Sequence, residues 1–239
     1  MGHNFPGVFI CFEGIEGCGK STQSELVEAE LKKRGLSVVR SREPGGTQIG
    51  EMIRKILLDP KCNQMVGQTE VNLYAAARSQ YVQELVVPHL REGGIFLTDR
   101  FLASSVAYQG GGRELGGEAV INANLTALLL PNLENRALDQ LICPDATLVY
   151  DLPVEVGLGR AKKRGELDRL EQERIEFHTR VRDAYLKMCA QGPYHQNGYR
   201  PQGPVGLNTP FYLLDGTKSI EDLFKDTIKI VDAVLKRKN

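Results

Sequence analysis

A glycine-rich run directly after a short apolar segment is the strongest constraint on how this chain can fold. Residues 14–21 read GIEGCGKS and fit the pattern G-x-x-x-x-G-K-[ST]. The apolar run 8–12 predicts a buried strand before it, and a helical pattern continues after it through Arg34. Glycines let such a turn point backbone N–H groups at phosphate oxygens, and the helix N-terminus adds partial positive charge. The sequence therefore predicts a phosphate-binding loop (P-loop) between a strand and a helix.

The pattern also assigns roles to individual side chains. Lys20 would reach the β- and γ-phosphates of a nucleoside triphosphate, and the Ser21 hydroxyl would ligate Mg²⁺. Asp99 closes the apolar run 95–98, where a carboxylate can act on the same metal directly or through water. The residues expected to bind the nucleotide are Gly14, Ile15, Glu16, Gly17, Cys18, Gly19, Lys20, Ser21 and Thr22. The acceptor stays open, because GTPase switches, ATPases and small-molecule kinases all use this loop.

Short apolar runs alternate with longer amphipathic segments along the rest of the chain. Strands that are buried on both faces and separated by helices imply a parallel sheet covered on both sides. We therefore expect a single α/β domain, 1–239, with the three-layer α/β/α fold of P-loop NTPases, a five-stranded parallel sheet and a helical lid at about 155–171. The predicted strands are 8–12, 37–39, 95–98, 147–152 and 211–214. The predicted helices after the first are 49–58, 70–90, 118–130, 154–163, 167–188 and 220–235.

Composition and charge narrow the classes of partner. Lys and Arg balance Asp and Glu at 30 each, so no overall field favours nucleic acid or an anionic membrane. The five cysteines form no CxxC pair, and no apolar run approaches membrane-spanning length. The first residues lack the basic and apolar regions of a signal peptide. We expect a cytoplasmic protein with no nucleic-acid or membrane partner.

Five of the ten residues from 160 to 169 are basic, and this run joins two predicted helices. In an arbitrary protein such a run is typically a solvated helix end. Beside a P-loop it favours a lid, because phosphoryl transfer needs cations that close over the γ-phosphate and neutralise transition-state charge.

Tyr74 and Arg78 lie four residues apart in the predicted helix 70–90 and therefore share one face. An aromatic ring beside a forked donor can stack on a base and hydrogen-bond its edge. Core packing for Tyr74 and a surface ion pair for Arg78 explain the spacing equally well, so both interpretations stay open.

Four runs taken together resemble the bacterial-type thymidylate kinases, and they come in that family's order: FEGIEGCGKST, REPGGT, DRFLASSVAYQGGGR and RGELDRLEQE. The similarity extends through most of 9–188. It implies transfer of the ATP γ-phosphate to dTMP, giving dTDP and ADP, with Mg²⁺ as the cofactor. It also implies a homodimer in the cytoplasm, on the route to dTTP.

The resemblance implies a role for each matching position of the acceptor site. Glu16 would lie near the sugar 3′-hydroxyl and the metal, and Arg100 would bind the acceptor phosphate. Tyr74 would stack on thymine and Arg78 would contact its O4, while Tyr108 would crowd the 2′ position and disfavour ribose. Further positions around the base and the phosphate are Arg42, Glu43, Pro44, Arg54, Ser105 and Gln109.

Members of this family differ in whether the catalytic arginine lies in the P-loop or in the lid. This loop has no basic residue before Lys20, so the resemblance places the arginine in the lid. Arg160 and Arg164 are the candidates, with Arg169 behind them, and the two lysines between them leave the choice open. The implied catalytic residues are Lys20, Glu16, Arg100, Arg160 and Arg164.

Three features depart from the family's pattern or leave a role open. The link 130–143 is longer than usual, and the Gly-, Pro-, Gln- and Asn-rich run 191–210 is interpreted as an inserted surface loop. Cys18 lies near a helix N-terminus, which can lower a thiol pKa. We favour a small-residue packing role for it over redox sensitivity.

Two alternative functions stay open. One is a kinase for another nucleotide or for a deoxynucleoside. The other is a P-loop NTPase switch or binding module, although the chain has no guanine-reading N-K-x-D motif.

Overall fold

The computed structural model describes residues 3–129, 141–191 and 209–238. Most of the predicted link 130–143 and of the predicted insertion 191–210 lies outside these ranges. None of the helices within them has both the length and the apolar character needed to cross a bilayer.

One sheet of five parallel strands forms the centre of the fold, as predicted. The strands are β1 (Val8–Gly14), β2 (Val38–Arg42), β3 (Ile95–Asp99), β4 (Ala146–Asp151) and β5 (Phe211–Asp215), and their order is β2-β3-β1-β4-β5. Asp99 at the end of β3 lies opposite both Phe12 and Arg42. Because the strands run the same way, the segments that follow β1, β2 and β3 emerge side by side at one edge.

Helices cover both faces of the sheet. They are α1 (Lys20–Lys33), α2 (Gln48–Leu58), α3 (Gly67–Tyr81), α4 (Val87–Arg91), α5 (Leu102–Ser105), α6 (Gly117–Leu128), α7 (Val154–Lys162), α8 (Ile175–Gln191) and α9 (Ile220–Lys238). Successive β1 side chains point to opposite faces. Ile10 packs in one core cluster with Val27 of α1 and Val231 of α9, and Phe9 packs in another with Val120 of α6. This arrangement confirms the predicted three layers.

The predicted helix 70–90 is present but is not a uniform α-helix. α3 ends at Tyr81, a π-helical segment covers Val82–Val86, and α4 follows at once. Pro88 has no N–H to donate to the carbonyl four residues before it, and the π geometry accommodates the missing bond. A second π-helical segment, Val106–Gly112, follows α5 and was not predicted.

The predicted helix 167–188 is wrong in its first third. α8 begins only at Ile175, and the residues before it form consecutive turns. The carboxylate of Asp168 accepts hydrogen bonds from the N–H groups two and three residues ahead, each at 2.9 Å, and so fixes a turn that competes with the helix. The N–H of Arg169 donates to the carbonyl oxygen of Leu58 at 3.1 Å. This stretch is therefore docked against the end of α2.

The remaining predicted elements lie within a few residues of their expected bounds. The largest change is in β2, which continues to Arg42 instead of ending at 39. It does so because β3 offers it a parallel partner as far as Asp99.

Candidate active site

Two cavities open at the edge where β1, β2 and β3 end. The first, here called the Arg100 cavity, is lined by Glu16 and Asp99 and by every residue predicted to bind the acceptor: Glu43, Pro44, Arg54, Tyr74, Arg78, Arg100, Ser105, Tyr108 and Gln109. The second, here called the loop cavity, is lined by 17–23 and Arg160, and by Gly216, Lys218, Ile220 and Leu223. Lys20, Ser21 and Arg164 line both cavities. Groups bound in the two cavities would meet at these three side chains.

The backbone of the P-loop requires its glycines. Gly14, Gly17 and Gly19 have φ angles of +137°, +68° and +95°, a region that other residues rarely adopt. A Cβ atom on Gly17 would lie 2.2 Å from the carbonyl oxygen of Gly157, and one on Gly157 would lie 2.4 Å from the carbonyl oxygen of Glu16. The loop therefore packs directly on α7, backbone against backbone.

Lys20 and Ser21 start α1 and point their polar atoms at the loop and at β3. The Nζ atom of buried Lys20 donates to the carbonyl oxygen of Ile15 at 3.4 Å. The Oγ atom of Ser21 donates to Oδ2 of Asp99 at 2.5 Å. Neighbouring hydroxyl and carboxylate oxygens suit Mg²⁺, which takes few protein ligands and keeps phosphates and waters. The described residues hold no cluster of three or more His, Cys, Asp or Glu that could bind a metal unaided.

Cys18 is fully buried inside the loop. Burial raises the pKa of its thiol, although nearby Lys20 opposes the shift. The thiol is therefore neutral at physiological pH, which favours the packing role over redox sensitivity.

Arg100 lies at the centre of the Arg100 cavity, where its guanidinium is held on several sides. Nη1 donates to the carbonyl oxygen of Gly14 at 3.1 Å and to Oγ of Ser104 at 3.0 Å. Nη2 donates to the Tyr108 hydroxyl at 3.0 Å and to Oε1 of Glu16 at 3.3 Å. The backbone φ of Arg100 is +75°, a conformation that non-glycine residues seldom adopt outside functional sites. The structure thus presents one oriented, forked cation to the cavity.

Arg78 is almost completely buried, so a surface ion pair is excluded. Its Nε atom donates to Oε2 of Glu43 at 2.8 Å, its Nη2 atom donates to Oγ of Ser105 at 3.1 Å, and its Nη1 atom donates to Asn124. Burial raises the pKa of Glu43 to about 7, with Arg78 opposing and Glu13 adding to the shift. Within the described chain, Oε1 of Glu43 has no hydrogen-bond partner.

The other predicted acceptor residues surround this pair. Tyr74 packs in the core, as one interpretation predicted, and it also lines the cavity, where its stacking on a base stays a prediction. Arg54 donates to the carbonyl oxygen of Pro44 at 2.9 Å, and Gln109 donates to Oε1 of Glu70 at 2.8 Å.

The basic segment places two arginines at the cavities. Nη1 of Arg160 donates to the carbonyl oxygens of Gly17 and Gly216, each at 3.2 Å. Nη2 of Arg164 donates to Oε1 of Glu171 at 3.0 Å, while most of its side chain stays exposed. The two lysines of the segment line neither cavity.

Comparison with known proteins places this fold and site in a family. A family profile described as thymidylate kinase matches residues 12–197. The chain belongs to the thymidylate kinase family. The thymidylate kinase of Ectopseudomonas mendocina (strain ymp) is 47% identical over 189 residues, which cover 79% of this chain and 85% of that protein. The thymidylate kinase of Pseudomonas putida (strain GB-1) is 40% identical over 97% of this chain and 98% of its own length. That of Fervidobacterium nodosum (strain ATCC 35602 / DSM 5306 / Rt17-B1) is 38% identical over 95% of this chain and 100% of its own length.

Glu13 supports the Arg100 turn of this thymidylate kinase family member, and the sequence did not predict that role. It is fully buried at the end of β1. Its Oε1 atom accepts from the N–H groups of Phe101 at 2.8 Å and Ser104 at 3.1 Å, and its Oε2 atom accepts from the Tyr185 hydroxyl at 2.8 Å. These bonds fix the turn that carries Arg100. An acidic residue closing a wholly apolar strand was the available signal, because a buried carboxylate requires partners.

His178 was also missed, and it faces the carboxylate expected to contact the sugar of the thymidylate substrate. Its Nδ1 atom lies 3.4 Å from Oε2 of Glu16, and its side chain is fully buried. Burial raises the pKa of Glu16, but the approach of His178, the charges of Arg100 and Lys20 and a hydrogen bond from the Tyr108 hydroxyl outweigh it and lower the pKa to about 2. Glu16 is therefore ionised, whereas Glu43 in the same cavity titrates near neutrality.

A pH-dependent stability follows for this member of the thymidylate kinase family. The folded chain retains on Glu43 a proton that the unfolded chain releases near the usual pKa of 4.5. The free energy of unfolding of the wild type, relative to Glu43→Gln, should therefore fall between about pH 4.5 and about pH 7 and level off above. The total loss expected is on the order of 3 kcal/mol. Urea unfolding of both proteins over this range measures it, and a flat difference would mean that Glu43 stays ionised beside Arg78.

Proposed function

We propose that this chain transfers the γ-phosphate of ATP to dTMP, giving dTDP and ADP for dTTP biosynthesis. The observation that carries the proposal is the junction of the two cavities at Lys20, Ser21 and Arg164. A triphosphate on the P-loop would point its terminal phosphate at an acceptor held by Arg100. Family membership supports the same pair of substrates.

The P-loop and the basic segment, 160–169, would together bind the ATP phosphates. The backbone N–H groups of the loop would hold the phosphates, and Lys20 would neutralise the β/γ oxygens. Arg160 lies over the loop at Gly17, and Arg164 stands at the junction of the cavities. We propose that these two supply the cations that offset charge in the transition state.

On the acceptor side, Arg100 would bind the phosphate of dTMP. Tyr74 and Arg78 would bind the base, while Glu16 and Tyr108 would lie against the sugar. A phosphate monoester is already a competent nucleophile at neutral pH, so no covalent enzyme intermediate is needed. The protein positions two anions in line and offsets their repulsion.

Ser21 and Asp99 fit a magnesium ion, because their side-chain oxygens are hydrogen-bonded to each other where the loop ends and α1 begins. They would hold Mg²⁺ that arrives with the nucleotide. When bound, the ion neutralises charge on the phosphates.

A coupled assay of ADP release with dTMP, dUMP, dCMP and dGMP tests the proposal most directly. We expect the highest kcat/KM with dTMP, loss of activity with EDTA and its return with Mg²⁺. A higher kcat/KM with another nucleotide or with a deoxynucleoside would mean that dTMP is not the preferred acceptor. Strong NTPase activity that dTMP does not change would favour a P-loop switch or binding module instead.

We further propose a cytoplasmic homodimer, as the family resemblance implies. One face of α2 exposes Ile49, Met52 and Ile56, which are 49%, 58% and 48% accessible. An apolar stripe of this kind is typical of a surface covered by another chain. Sedimentation analysis of the purified protein tests the dimer.

A further inference from the structure

The carboxylate of Glu70 connects three segments around the site, which carry Gln109, Arg113 and Arg169. It lies in the first turn of α3 and is fully buried. Its Oε1 atom accepts from Gln109 at 2.8 Å and from Nε of Arg113 at 3.3 Å. Its Oε2 atom accepts from Nη2 of Arg113 at 3.2 Å and lies 2.6 Å from Nη2 of Arg169.

The charges in this cluster depend on one another. Arg169 is almost fully buried, and Glu70 is the carboxylate against it. Arg113 has a second carboxylate partner, Glu173, which lies 2.5 Å away and is partly exposed. A buried guanidinium that loses its carboxylate is strongly disfavoured. Glu70 is therefore much harder to replace than Glu173, although both pair with Arg113.

Arg169 is the point at which the basic segment is fixed. Its N–H donates to the carbonyl oxygen of Leu58 at 3.1 Å, and its Nε donates to that of Leu57 at 2.7 Å. Arg164, five residues earlier, is 62% exposed and is held by Glu171. The position of Arg164 at the junction of the cavities thus depends on where Arg169 is held.

The helix that carries Glu70 also carries residues of the Arg100 cavity. Tyr74 and Arg78 follow at intervals of four residues, so all three share one face of α3. Gln109, bonded to Oε1 of Glu70, lines the same cavity. The carboxylate of Glu70 therefore contacts both a lining residue of the Arg100 cavity, Gln109, and the last residue of the basic segment, Arg169.

We propose that Glu70 is a positioning residue that fastens the C-terminal end of the basic segment, 160–169, to the Arg100 cavity, through Arg169 on one side and Gln109 on the other. The proposal rests on the proposed function, because it gives Arg164 its place against the transferred phosphate. Glu70 itself lines neither the Arg100 cavity nor the loop cavity.

Glu70→Gln is the variant that tests the idea. A glutamine can keep a carbonyl oxygen for Gln109, but it removes the charge that pairs with Arg113 and Arg169. We expect kcat to fall 10- to 100-fold, since a shift of about 1 Å in a reacting group has this effect. The KM for ATP should rise more than the KM for dTMP. Trypsin should cut the native protein faster after Lys162, Lys163 and Arg164.

Glu173→Gln is the matched control, because it removes only the exposed partner of Arg113. It should keep kcat, both KM values and the tryptic rate within about twofold of wild type. Equal losses in the two variants, or a Glu70→Gln protein that matches wild type in kinetics and cleavage, would overturn the proposal.

Two further proteins keep the test decisive. If Glu70→Gln does not fold, Arg169→Met is measured in its place, and wild-type kinetics and cleavage in that variant would overturn the proposal. The Glu70→Gln/Arg169→Met double variant has no unpaired guanidinium at position 169. The fold loss of kcat in the double variant should therefore be smaller than the product of the fold losses in the two single variants. The wild-type assay with dTMP distinguishes failure of the proposed function from failure of the Glu70 proposal. An inactive wild type would remove the dTMP kinase function, whereas the tryptic rates test whether Glu70 holds the basic segment in place.

Discussion

Replacing Arg100 by alanine is expected to lower kcat/KM for dTMP by about 10³-fold while leaving the affinity for ATP nearly unchanged. The reason is the setting of this side chain. Its guanidinium lines the Arg100 cavity but not the loop cavity, and it is oriented by Ser104, Tyr108 and Glu16. Removing a forked cation fixed in this way takes away charge-assisted hydrogen bonds to the acceptor phosphate.

Steady-state kinetics with each substrate varied in turn, together with ATP binding by calorimetry, measure this effect. Arg100→Lys keeps the charge but loses the fork, so it should fall between alanine and wild type. Arg34→Ala is the control, because the ion pairs of Arg34 with described residues are those at the surface with Glu30 and Asp232. A near-normal KM and kcat for dTMP in Arg100→Ala would remove Arg100 from the acceptor site.

Replacing Gly157 by alanine is expected to lower kcat by about 100-fold, although Gly157 bears no functional group. The new methyl group would lie 2.4 Å from the carbonyl oxygen of Glu16. The Cβ atom is held rigidly by the backbone of α7, and the carbonyl oxygen belongs to the backbone of the P-loop, so either the P-loop or α7 must move by about 1 Å. Such a shift displaces the loop that would hold the phosphates, or it displaces Arg160 and Arg164 relative to that loop.

Gly159, two residues along the same helix, offers a matched control. A Cβ atom there would meet nothing within 4 Å. Gly159→Ala should therefore keep full activity and gain about 0.5–1 kcal/mol of stability from the better helix propensity of alanine. Comparing kcat, the KM for ATP and the melting temperature of the two variants separates a misplaced loop from a weakened helix. Wild-type kcat in Gly157→Ala would mean that this packing has no part in catalysis.

The parts of the fold that the sequence predicted well depend on local patterns. The P-loop is contiguous, and its glycines mark it whatever lies around it. The strands are apolar runs buried on both faces, so the parallel sheet and its three layers followed from them. The predicted helix over 167–174 was wrong because hydrogen bonds of individual side chains and backbone groups decided the structure there. Two hydrogen bonds from backbone N–H groups to the Asp168 carboxylate, together with the bond from the Arg169 N–H to Leu58, replaced the predicted helix before Ile175.

The site divides in a similar way. The structure gathers the predicted acceptor residues in one cavity, where their binding roles remain predictions. Glu13, Glu70 and His178 were missed because their partners lie far away in the chain: Glu13 meets Tyr185, and His178 meets Glu16. Their burial and pairing arise from packing, which a single sequence does not display. Resemblance assigned roles inside the four runs and also to Arg54, Tyr74, Arg78 and Arg160 outside them, but it assigned none to these three residues.

The division of the lining residues between the two cavities has a consequence for enzyme engineering. Tyr74, Arg78 and Tyr108 line the Arg100 cavity alone, whereas the described residues that line both cavities are Lys20, Ser21 and Arg164. Variant libraries at Tyr74, Arg78 and Tyr108 should therefore alter which nucleoside monophosphate analogue is accepted without lowering the affinity for ATP. The same separation makes this chain a suitable starting point for catalysts that activate analogue monophosphates.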